Sequence, residues 1–177
     1  IPTIKGNYDA SVVDGDFTFI RDTSINSFSL PFAVEEVRAS NKYYLDSLPT
    51  ELNYEFNGVK VKFTHGSPNA INEYLFENGT NTKNVMESLD SDILVCAHTH
   101  IPSFKKFENK TYINVGSIGK PKIGRPNITY SIIEINEEGK SKVHFRELEY
   151  DKHKIIKDCQ MLNFPNALIE SYKSGAE

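Results

Sequence analysis

Three of the five histidines stand where a strand-like apolar run gives way to a turn. His65 precedes a glycine, and His98 and His100 directly follow the continuous apolar run of residues 93–97. In extended backbone, side chains two residues apart point to the same side, so His98 and His100 would face one pocket. Two imidazoles in one pocket suit a divalent metal ion. A single histidine is more often hydrogen-bonded to a carbonyl, and spacing alone leaves both interpretations open.

Two further loops carry groups that a metal ion or a phosphate could use. Asn7 follows a glycine, and its side chain would either offer an amide oxygen to a metal or simply form a turn. Residues 114–119 lead from a strand pattern into a glycine-bearing loop, which either admits an anion to backbone N–H groups or is a tight turn. Some basic residues near these loops would contact phosphate or remain solvated: Lys5, Lys120, Lys122 and Arg125.

The other nucleophiles and histidines carry no comparable pattern. Ser67 lacks the nucleophile-elbow motif of serine hydrolases, and Cys96 lies within an apolar run. A serine or cysteine hydrolase is therefore disfavoured. His144 and His153 fall on a predicted strand and a predicted helix without partner motifs, and we interpret both as structural or solvated.

Length and composition indicate one soluble domain. The 177 residues are 38% hydrophobic and 25% charged, which is typical of globular proteins and provides enough chain for a core. A net charge of −4, without a basic run, argues against a nucleic-acid partner. No apolar stretch is long enough for a membrane span, and two cysteines are too few for a disulfide framework. We expect a cytoplasmic protein that acts without a membrane.

The hydrophobic periodicity predicts a mixed α/β sandwich in which helices cover sheets. A short strand over residues 1–5 should end in a Gly6–Asn7 turn, and one or two helices should occupy residues 31–48. The later elements are a hairpin of strands 52–56 and 59–63 around Asn57–Gly58, a short helix at 84–89, strands at 93–97, 103–107, 111–115, 128–135 and 142–149, and helices over 155–162 and from Pro165 to Tyr172. No linker divides residues 1–177, so we expect a single domain.

Four motifs occur in one order along nearly the whole chain: Gly6-Asn7-x-Asp9, His65-Gly66, His98-Thr99-His100, and Asn114-x-Gly116-Ser117-x-Gly119-x-Pro121. In order and spacing they resemble those of the calcineurin-like metallophosphoesterases, particularly the small bacterial and archaeal phosphodiesterases. The resemblance implies a four-layer α-β-β-α sandwich with a two-metal centre at the sheet ends. In that family a hydroxide held by the metals attacks phosphorus, while the cations stabilise charge on the phosphoryl oxygens.

The resemblance also assigns roles to individual positions. Asn7, His65 and His98 would bind one metal and His100 the other. Tyr8 stands where the family often has a histidine proton donor, and with Asp9 it is the predicted catalytic residue. The predicted substrate-binding residues are Gly6, Gly66, Thr99 and Ser117. The implied cofactors are two divalent ions, with Mn²⁺ favoured over Zn²⁺, Fe²⁺, Ni²⁺ or Mg²⁺.

The sequence departs from the family pattern chiefly at its start. The family's Asp-x-His and Gly-Asp motifs, which supply carboxylate ligands, precede the Gly-Asn segment, and here nothing precedes Ile1-Pro2-Thr3-Ile4-Lys5. We therefore expect a chain truncated at its N-terminus, lacking the first strand–helix units. Asp14 and Asp16 come after Asn7 and do not fill that place in order. Ala97 also replaces the usual glycine before the His-Thr-His motif.

The missing carboxylates shape the functional prediction. An amide and three neutral imidazoles leave the charge of two divalent ions uncompensated, so this chain alone should hold one ion or none and hydrolyse weakly if at all. Loss of the first strands should expose a sheet edge and favour a homo-oligomer.

The leading hypothesis is a metal-dependent phosphoesterase that hydrolyses a small phosphodiester or phosphomonoester. The alternative is a non-catalytic interaction module with a degenerate metal site, as in a retromer subunit of this fold. A structural mononuclear zinc domain fits less well, because it would need four close ligands and more cysteine.

Overall fold

The computed structural model describes residues 1–18 and 20–176, and in this part of the chain helices flank and separate the strands. The helices are α1 (Asn7–Asp14), α2 (Asn26–Glu36), α3 (Ala39–Ser47), α4 (Thr80–Ser88), α5 (Lys152–Met161) and α6 (Asn166–Ser174). The strands are β1 (Glu51–Phe56), β2 (Val59–Thr64), β3 (Ile93–Cys96), β4 (Ser103–Phe107), β5 (Lys110–Asn114), β6 (Ile128–Ile135) and β7 (Ser141–Leu148).

Two sheets are formed by the strands of the described residues. The larger has five strands in the order β1-β2-β3-β5-β4, and the smaller is the antiparallel pair β6–β7. In the larger sheet β3 runs parallel to both β2 and β5, whereas β1 and β4 are antiparallel edge strands. The central strands β2, β3 and β5 therefore end at the same edge, which is where ligands bind in open α/β sheets.

The hairpin prediction is confirmed. Asn57 and Gly58 adopt φ values of 50° and 78°, which is the left-handed pair that a type I′ turn requires. Strands β1 and β2 then pair in register from Phe56 opposite Val59 to Glu51 opposite Thr64. The Asn57 amide also donates to the carbonyl of Asn136 at 3.0 Å, which joins this turn to the turn between β6 and β7.

The core lies on both faces of the larger sheet. All four residues of β3 are buried, as its continuous apolar run predicts. On one face, Leu94 and Cys96 of β3 pack with Val85 and Met86 of α4. On the other face, Ile93 and Val95 lie in a cluster with the inward side chains of β6 and β7. The predicted mixed α/β sandwich is confirmed.

A third cluster joins the two ends of the described chain. Cys159 of α5 and Leu168 of α6 pack against Ile25, which immediately precedes α2. The ring of Phe164 lies 4.9 Å from the rings of both Phe28 and Phe32 in edge-on geometry. These contacts fix α2 against the C-terminal helices rather than against the sheet.

The end of α6 is held against a distant loop. Gly175 caps this helix with φ 65°, and a side chain there would collide with the backbone of Arg125. The carbonyl of Gly175 accepts a 2.9 Å hydrogen bond from the N–H of Gly124. The C-terminal helix therefore supports the loop that follows β5.

The prediction of a strand over residues 1–5 is wrong. The backbone hydrogen bond of this segment to the rest of the chain joins the N–H of Lys5 to the carbonyl of Pro49, and one such bond does not make a ladder. The predicted Gly6–Asn7 turn is also wrong, because Asn7 begins α1. Gly6 is extended, and its N–H donates to the Asp9 carboxylate at 2.7 Å, which caps the helix.

The helices predicted over residues 31–48 are present but shifted. Helix α2 begins at Asn26 and contains Pro31, and it is separated from α3 by an extended Val37 and Arg38. The predicted buried face is reduced to Leu30 in α2, and no residue of α3 is buried. Within the ranges 1–18 and 20–176, no helix is both long and apolar enough to cross a membrane.

Candidate metal centre

The loops after β2 and β3 bring two histidines to one edge of the sheet. Because β2 and β3 are parallel neighbours, His65 and His98 leave the sheet on the same side. The N–H of Ala97 donates to the carbonyl of His65 at 3.0 Å, which holds the two loops together. Asn7 is the first residue of α1.

Three side chains converge at this edge. Nε2 of His65 lies 2.8 Å from Oδ1 of Asn7 and 3.1 Å from Nδ1 of His98. The two imidazole rings meet edge to face with centroids 5.0 Å apart. Asn7 and His98 are only 5% and 6% exposed, so bulk water does not screen the cluster. The structure therefore brings together three of the four predicted metal ligands.

Nε2 of His65 has two polar neighbours, and it can form a linear hydrogen bond with only one of them. His65 Nε2 carries either one proton or one lone pair. A single proton cannot point linearly at both the Asn7 oxygen and the His98 nitrogen, and a lone pair would face the oxygen of Asn7. A divalent cation removes the conflict, because all three atoms can then direct lone pairs at one positive charge.

The distances also fit a shared cation. Ligand atoms that each lie about 2.0–2.2 Å from a metal are about 3 Å apart when they are adjacent around it. The 2.8 Å and 3.1 Å separations of this cluster have that size. The donor set of one amide oxygen and two imidazole nitrogens therefore fits a divalent metal ion.

Burial keeps the two imidazoles neutral. Desolvation lowers the pKa of His65 to about 4, and the nearby His100 contributes to the decrease. Burial likewise lowers the pKa of His98 to about 4, with smaller contributions from His65 and His100. Both rings are therefore uncharged at neutral pH, which is the form that binds a metal.

His100 is the fourth predicted metal ligand, and its charge acts on both His65 and His98. Its Nδ1 donates to the carbonyl of Lys120 at 2.6 Å, so the proton is on Nδ1 and Nε2 carries the lone pair. It lines the same cavity as the three converging side chains.

The interpretation of His98 and His100 as neighbours in extended backbone is wrong. Strand β3 ends at Cys96, and both histidines have φ 61°, in the left-handed region. Histidine tolerates this region better than most residues, but each such residue costs about 1–2 kcal/mol. The surrounding fold imposes this conformation, and strain of this kind is typical of functional sites.

The two predicted catalytic residues have structural contacts. The Asp9 carboxylate accepts the Gly6 N–H and caps α1. The hydroxyl of Tyr8 donates to Oδ1 of Asn26, and the ring is partly exposed. Both residues line the cavity.

The predicted substrate-binding residues mainly shape the loops. A Cβ on Gly6 would lie 3.3 Å from Nδ1 of His65, and a Cβ on Gly66 would lie 2.6 Å from the carbonyl oxygen of Ile71. Gly66 is therefore required for close packing, whereas a Cβ on Gly6 would force the side chain of His65 or Asp9 to move by a few tenths of an ångström.

The hydroxyls of the other two predicted substrate-binding residues bond to nearby backbone. Thr99 bonds to Ile101 at 3.2 and 3.3 Å. Ser117 accepts from the N–H groups of Gly119 and Lys120 at 3.2 and 3.0 Å. Both hydroxyls therefore stabilise turns.

A cavity of about 790 Å³ opens beside the cluster. It is lined by residues that sequence reasoning missed, notably Arg21, Asn72 and Tyr74. The Tyr74 ring lies 4.1 Å from the His98 ring and restrains it. No motif marks these three positions, because they lie in irregular loops that only the tertiary fold brings to the site.

Carboxylates do not complete the centre within the described ranges. Among residues 1–18 and 20–176, no group of three or more histidine, cysteine, aspartate or glutamate side chains is arranged to hold a metal. The carboxylate of Asp16 accepts the N–H of Thr18 at 2.9 Å in a local turn. The carboxylate ligands expected ahead of Ile1 stay a prediction.

Comparison with known protein families and protein sequences identifies relatives that cover most of this chain. Residues 1–138 match the family model described as the calcineurin-like phosphoesterase superfamily domain. An uncharacterized protein of Methanocaldococcus jannaschii is 27% identical over 185 residues, which cover 95% of this chain and 73% of that protein.

Two solved structures have a similar fold. A metallophosphoesterase from Sphaerobacter thermophilus superposes with a TM-score of 0.80 at 20% identity, covering 98% of this chain and 76% of that one. A hypothetical protein from Pyrococcus horikoshii superposes with a TM-score of 0.84 at 20% identity, covering 98% of this chain and 73% of that one.

Proposed function

Because this chain belongs to the calcineurin-like phosphoesterase superfamily, we propose that it is a metal-dependent phosphoesterase acting on small phosphate esters. The observation that carries the proposal is the convergence of Asn7, His65 and His98, with donor atoms 2.8 and 3.1 Å apart. The family implies divalent metals, and these three residues would hold one of them. Mn²⁺ is the ion that we propose, because the amide carbonyl of Asn7 suits it; the two imidazoles also suit Zn²⁺, Fe²⁺ and Ni²⁺.

A bound divalent ion would act as a Lewis acid that polarises a phosphoryl oxygen. The chain itself holds the donor atoms of Asn7, His65 and His98 in place and shields them from bulk water. Gly6 and Gly66 permit the close approach of loops, and Tyr74 packs on His98 to hold its ring. His100, with its lone pair on Nε2, is the proposed donor to a second ion.

The cavity supports binding of an anion. Arg21, Lys120 and Lys122 line it, and the charge of Lys122 is felt at His98, where it contributes to the lowered pKa. Positive charge beside the cluster would attract and orient a phosphate group. Tyr8, which follows Asn7 and lines the cavity, is the proposed proton donor to the leaving group.

A specific observation also supports the second candidate, a non-catalytic interaction module. The converging donors are all neutral, and the described residues contain no group of three acidic, histidine or cysteine side chains that could hold a metal. Without a negative ligand the ion would be held weakly. Metal binding and turnover therefore distinguish the two candidates.

The test measures Mn²⁺ binding by titration calorimetry and hydrolysis of p-nitrophenyl phosphate and bis(p-nitrophenyl) phosphate. We expect one ion per chain for the unaltered protein, and a loss of at least tenfold in affinity for His65→Ala and His98→Ala. His153→Ala, which alters an exposed histidine of α5, is the matched control. His100→Ala should leave this first ion in place.

The outcomes separate the candidates. Binding that is lost in the two cluster variants, together with turnover, supports the phosphoesterase. Binding without turnover favours the interaction module with a residual site. Equal affinity in the unaltered protein, His65→Ala and His153→Ala would overturn the proposed metal centre.

A further inference from the structure

The cavity beside the metal centre has two ends of different chemistry. One end is lined by Asn7, His65 and His98. We call the other end the apolar chamber. It is formed by α2 with the residue before it, and by α5, α6 and the segment between these two helices. Its lining residues are Ile25, Leu30, Phe32, Ile155, Leu162 and Leu168. The volume of the whole cavity, about 790 Å³, falls in the range of small-molecule sites.

The wall of the chamber is held in place by aromatic packing. Phe164 contacts the rings of Phe28 and Phe32 at 4.9 Å, so the segment between α5 and α6 is fixed against α2. Leu162 nevertheless remains 51% exposed. Part of the apolar wall of the cavity is therefore exposed, and covering exposed apolar surface is favourable.

Among the charged residues that line the cavity, Lys122 acts on the metal end, where its charge contributes to the lowered pKa of His98. Arg21, Lys120 and Lys122 are the cations, whereas the carboxylates are Asp9 and Asp158. The Asp9 carboxylate already accepts the Gly6 N–H. A ligand that fits the whole cavity thus has one anionic group and an apolar body.

Polar groups near the chamber are engaged within the protein. The side-chain amide of Asn26 donates to the carbonyl of Arg21 at 2.6 Å and accepts the hydroxyl of Tyr8. The hydroxyl of Thr23 accepts the N–H of Asn26 at 3.1 Å.

From these observations we infer that the substrate is a phosphate ester with an alkyl or aromatic body, and that the apolar chamber selects it. This inference rests on the proposed phosphoesterase function, because it places the phosphate at Asn7, His65 and His98. It adds a determinant of specificity that involves α2, α5 and α6, outside the metal-binding loops.

The test uses the Mn²⁺-loaded chain and non-hydrolysable methyl-, butyl-, hexyl- and octylphosphonate, measured by titration calorimetry. Each methylene buried in the chamber should tighten binding about fourfold, or roughly fifteenfold per pair of methylenes. Uridine monophosphate serves as the polar comparison and should bind less tightly than octylphosphonate.

Substitutions locate the effect. Ala33→Leu adds volume to the chamber from α2, and we expect it to abolish the gain between butyl- and octylphosphonate. Ala167→Leu adds the same volume at an exposed position of α6 and should retain the gain. Leu162→Ser, at a position already half exposed, is a second variant that should reduce the gain without filling the chamber.

The results separate this inference from the function on which it rests. Methylphosphonate binding with no dependence on chain length would overturn the chamber and leave the phosphoesterase intact. Tighter binding of uridine monophosphate than of octylphosphonate would also overturn it, in favour of a nucleotide substrate. Failure of every phosphonate and of Mn²⁺ to bind would overturn both proposals.

Discussion

Strand β2 lies between two glycine-containing turns that need their glycines for different reasons. At its start, Gly58 has φ 78° and no atom within 4 Å of where a Cβ would be. At its end, Gly66 has no positive φ, but a Cβ would lie 2.6 Å from the Ile71 oxygen and 2.7 Å from the Ala70 oxygen. The first turn needs a left-handed backbone conformation, whereas the second needs a residue without a Cβ because backbone atoms occupy that place.

This difference separates local from tertiary information. Asn57–Gly58 is a hairpin signal that acts through two residues alone, so it can be read from sequence. The constraint on Gly66 comes from the way in which the following loop folds back over it, and that loop also positions His65. The candidate metal centre is built at the end of β2 that depends on distant contacts.

The largest expected effect compares the two glycines directly. Gly66→Ala should destabilise the protein by about 3 kcal/mol or more, because backbone atoms must move to admit the methyl group. Gly58→Ala should cost only about 1–2 kcal/mol, the strain of a left-handed alanine. Urea unfolding of both variants measures the difference, and equal losses would contradict the steric interpretation of Gly66.

A bound metal ion should stabilise the protein through its ligands at the His65 end of β2, and not through the hairpin at the other end. Mn²⁺ at one hundred times its dissociation constant should add about 2.7 kcal/mol to the free energy of unfolding. Removal of the ion with EDTA should reverse the gain. His98→Ala should lose most of this increment, whereas Asn57→Ala should keep it, and thermal unfolding with and without Mn²⁺ is the measurement. An equal increment in His98→Ala would place the ion elsewhere.

The hairpin end can be tested through its side chain. Asn57→Asp keeps a residue that tolerates positive φ but loses the amide that donates to Asn136 and Ile135. We expect a loss of about 1 kcal/mol in urea unfolding, the typical value of one hydrogen bond. Mn²⁺ affinity should stay the same, and a weaker affinity would show that the two ends are coupled.

The smallest effect is expected at Gly119, in the loop that carries Lys120. Its φ is not positive, and no atom lies within 4 Å of the place that a Cβ would occupy, so Gly119→Ala should stabilise the chain slightly, by about 0.4–1 kcal/mol. A small rise in the melting temperature is the readout. A clear loss of stability would show that this loop, like the His65–Gly66 loop, is constrained by tertiary contacts.

The regular elements were predictable because their signals are local. The buried strand β3, the hairpin and the strands β4–β7 follow from apolar runs, alternation and turn residues. Residues 1–5 have the composition of a strand, but among the described residues they form no ladder and Lys5 bonds to Pro49, because a strand also requires a partner, which periodicity does not specify.

The candidate site was predictable in its residues but not in its geometry. Motif order identified Asn7, His65 and His98, which the structure brings together. The left-handed conformation of His98 and His100 and the capping role of Asp9 arise from contacts that no motif encodes. Of the apolar residues predicted to form a buried helix face within residues 31–48, Phe32 lines the cavity.

The hydrogen bond between Gly124 and Gly175 connects the last helix to the chemistry of the sheet edge. The loop that it supports also carries Lys120, whose carbonyl accepts the Nδ1 proton of His100. Helix α6 thereby supports the loop whose Lys120 carbonyl fixes the proton of His100 on Nδ1. The nitrogen that His100 presents to the cavity is decided in part by a helix end that never touches the ring.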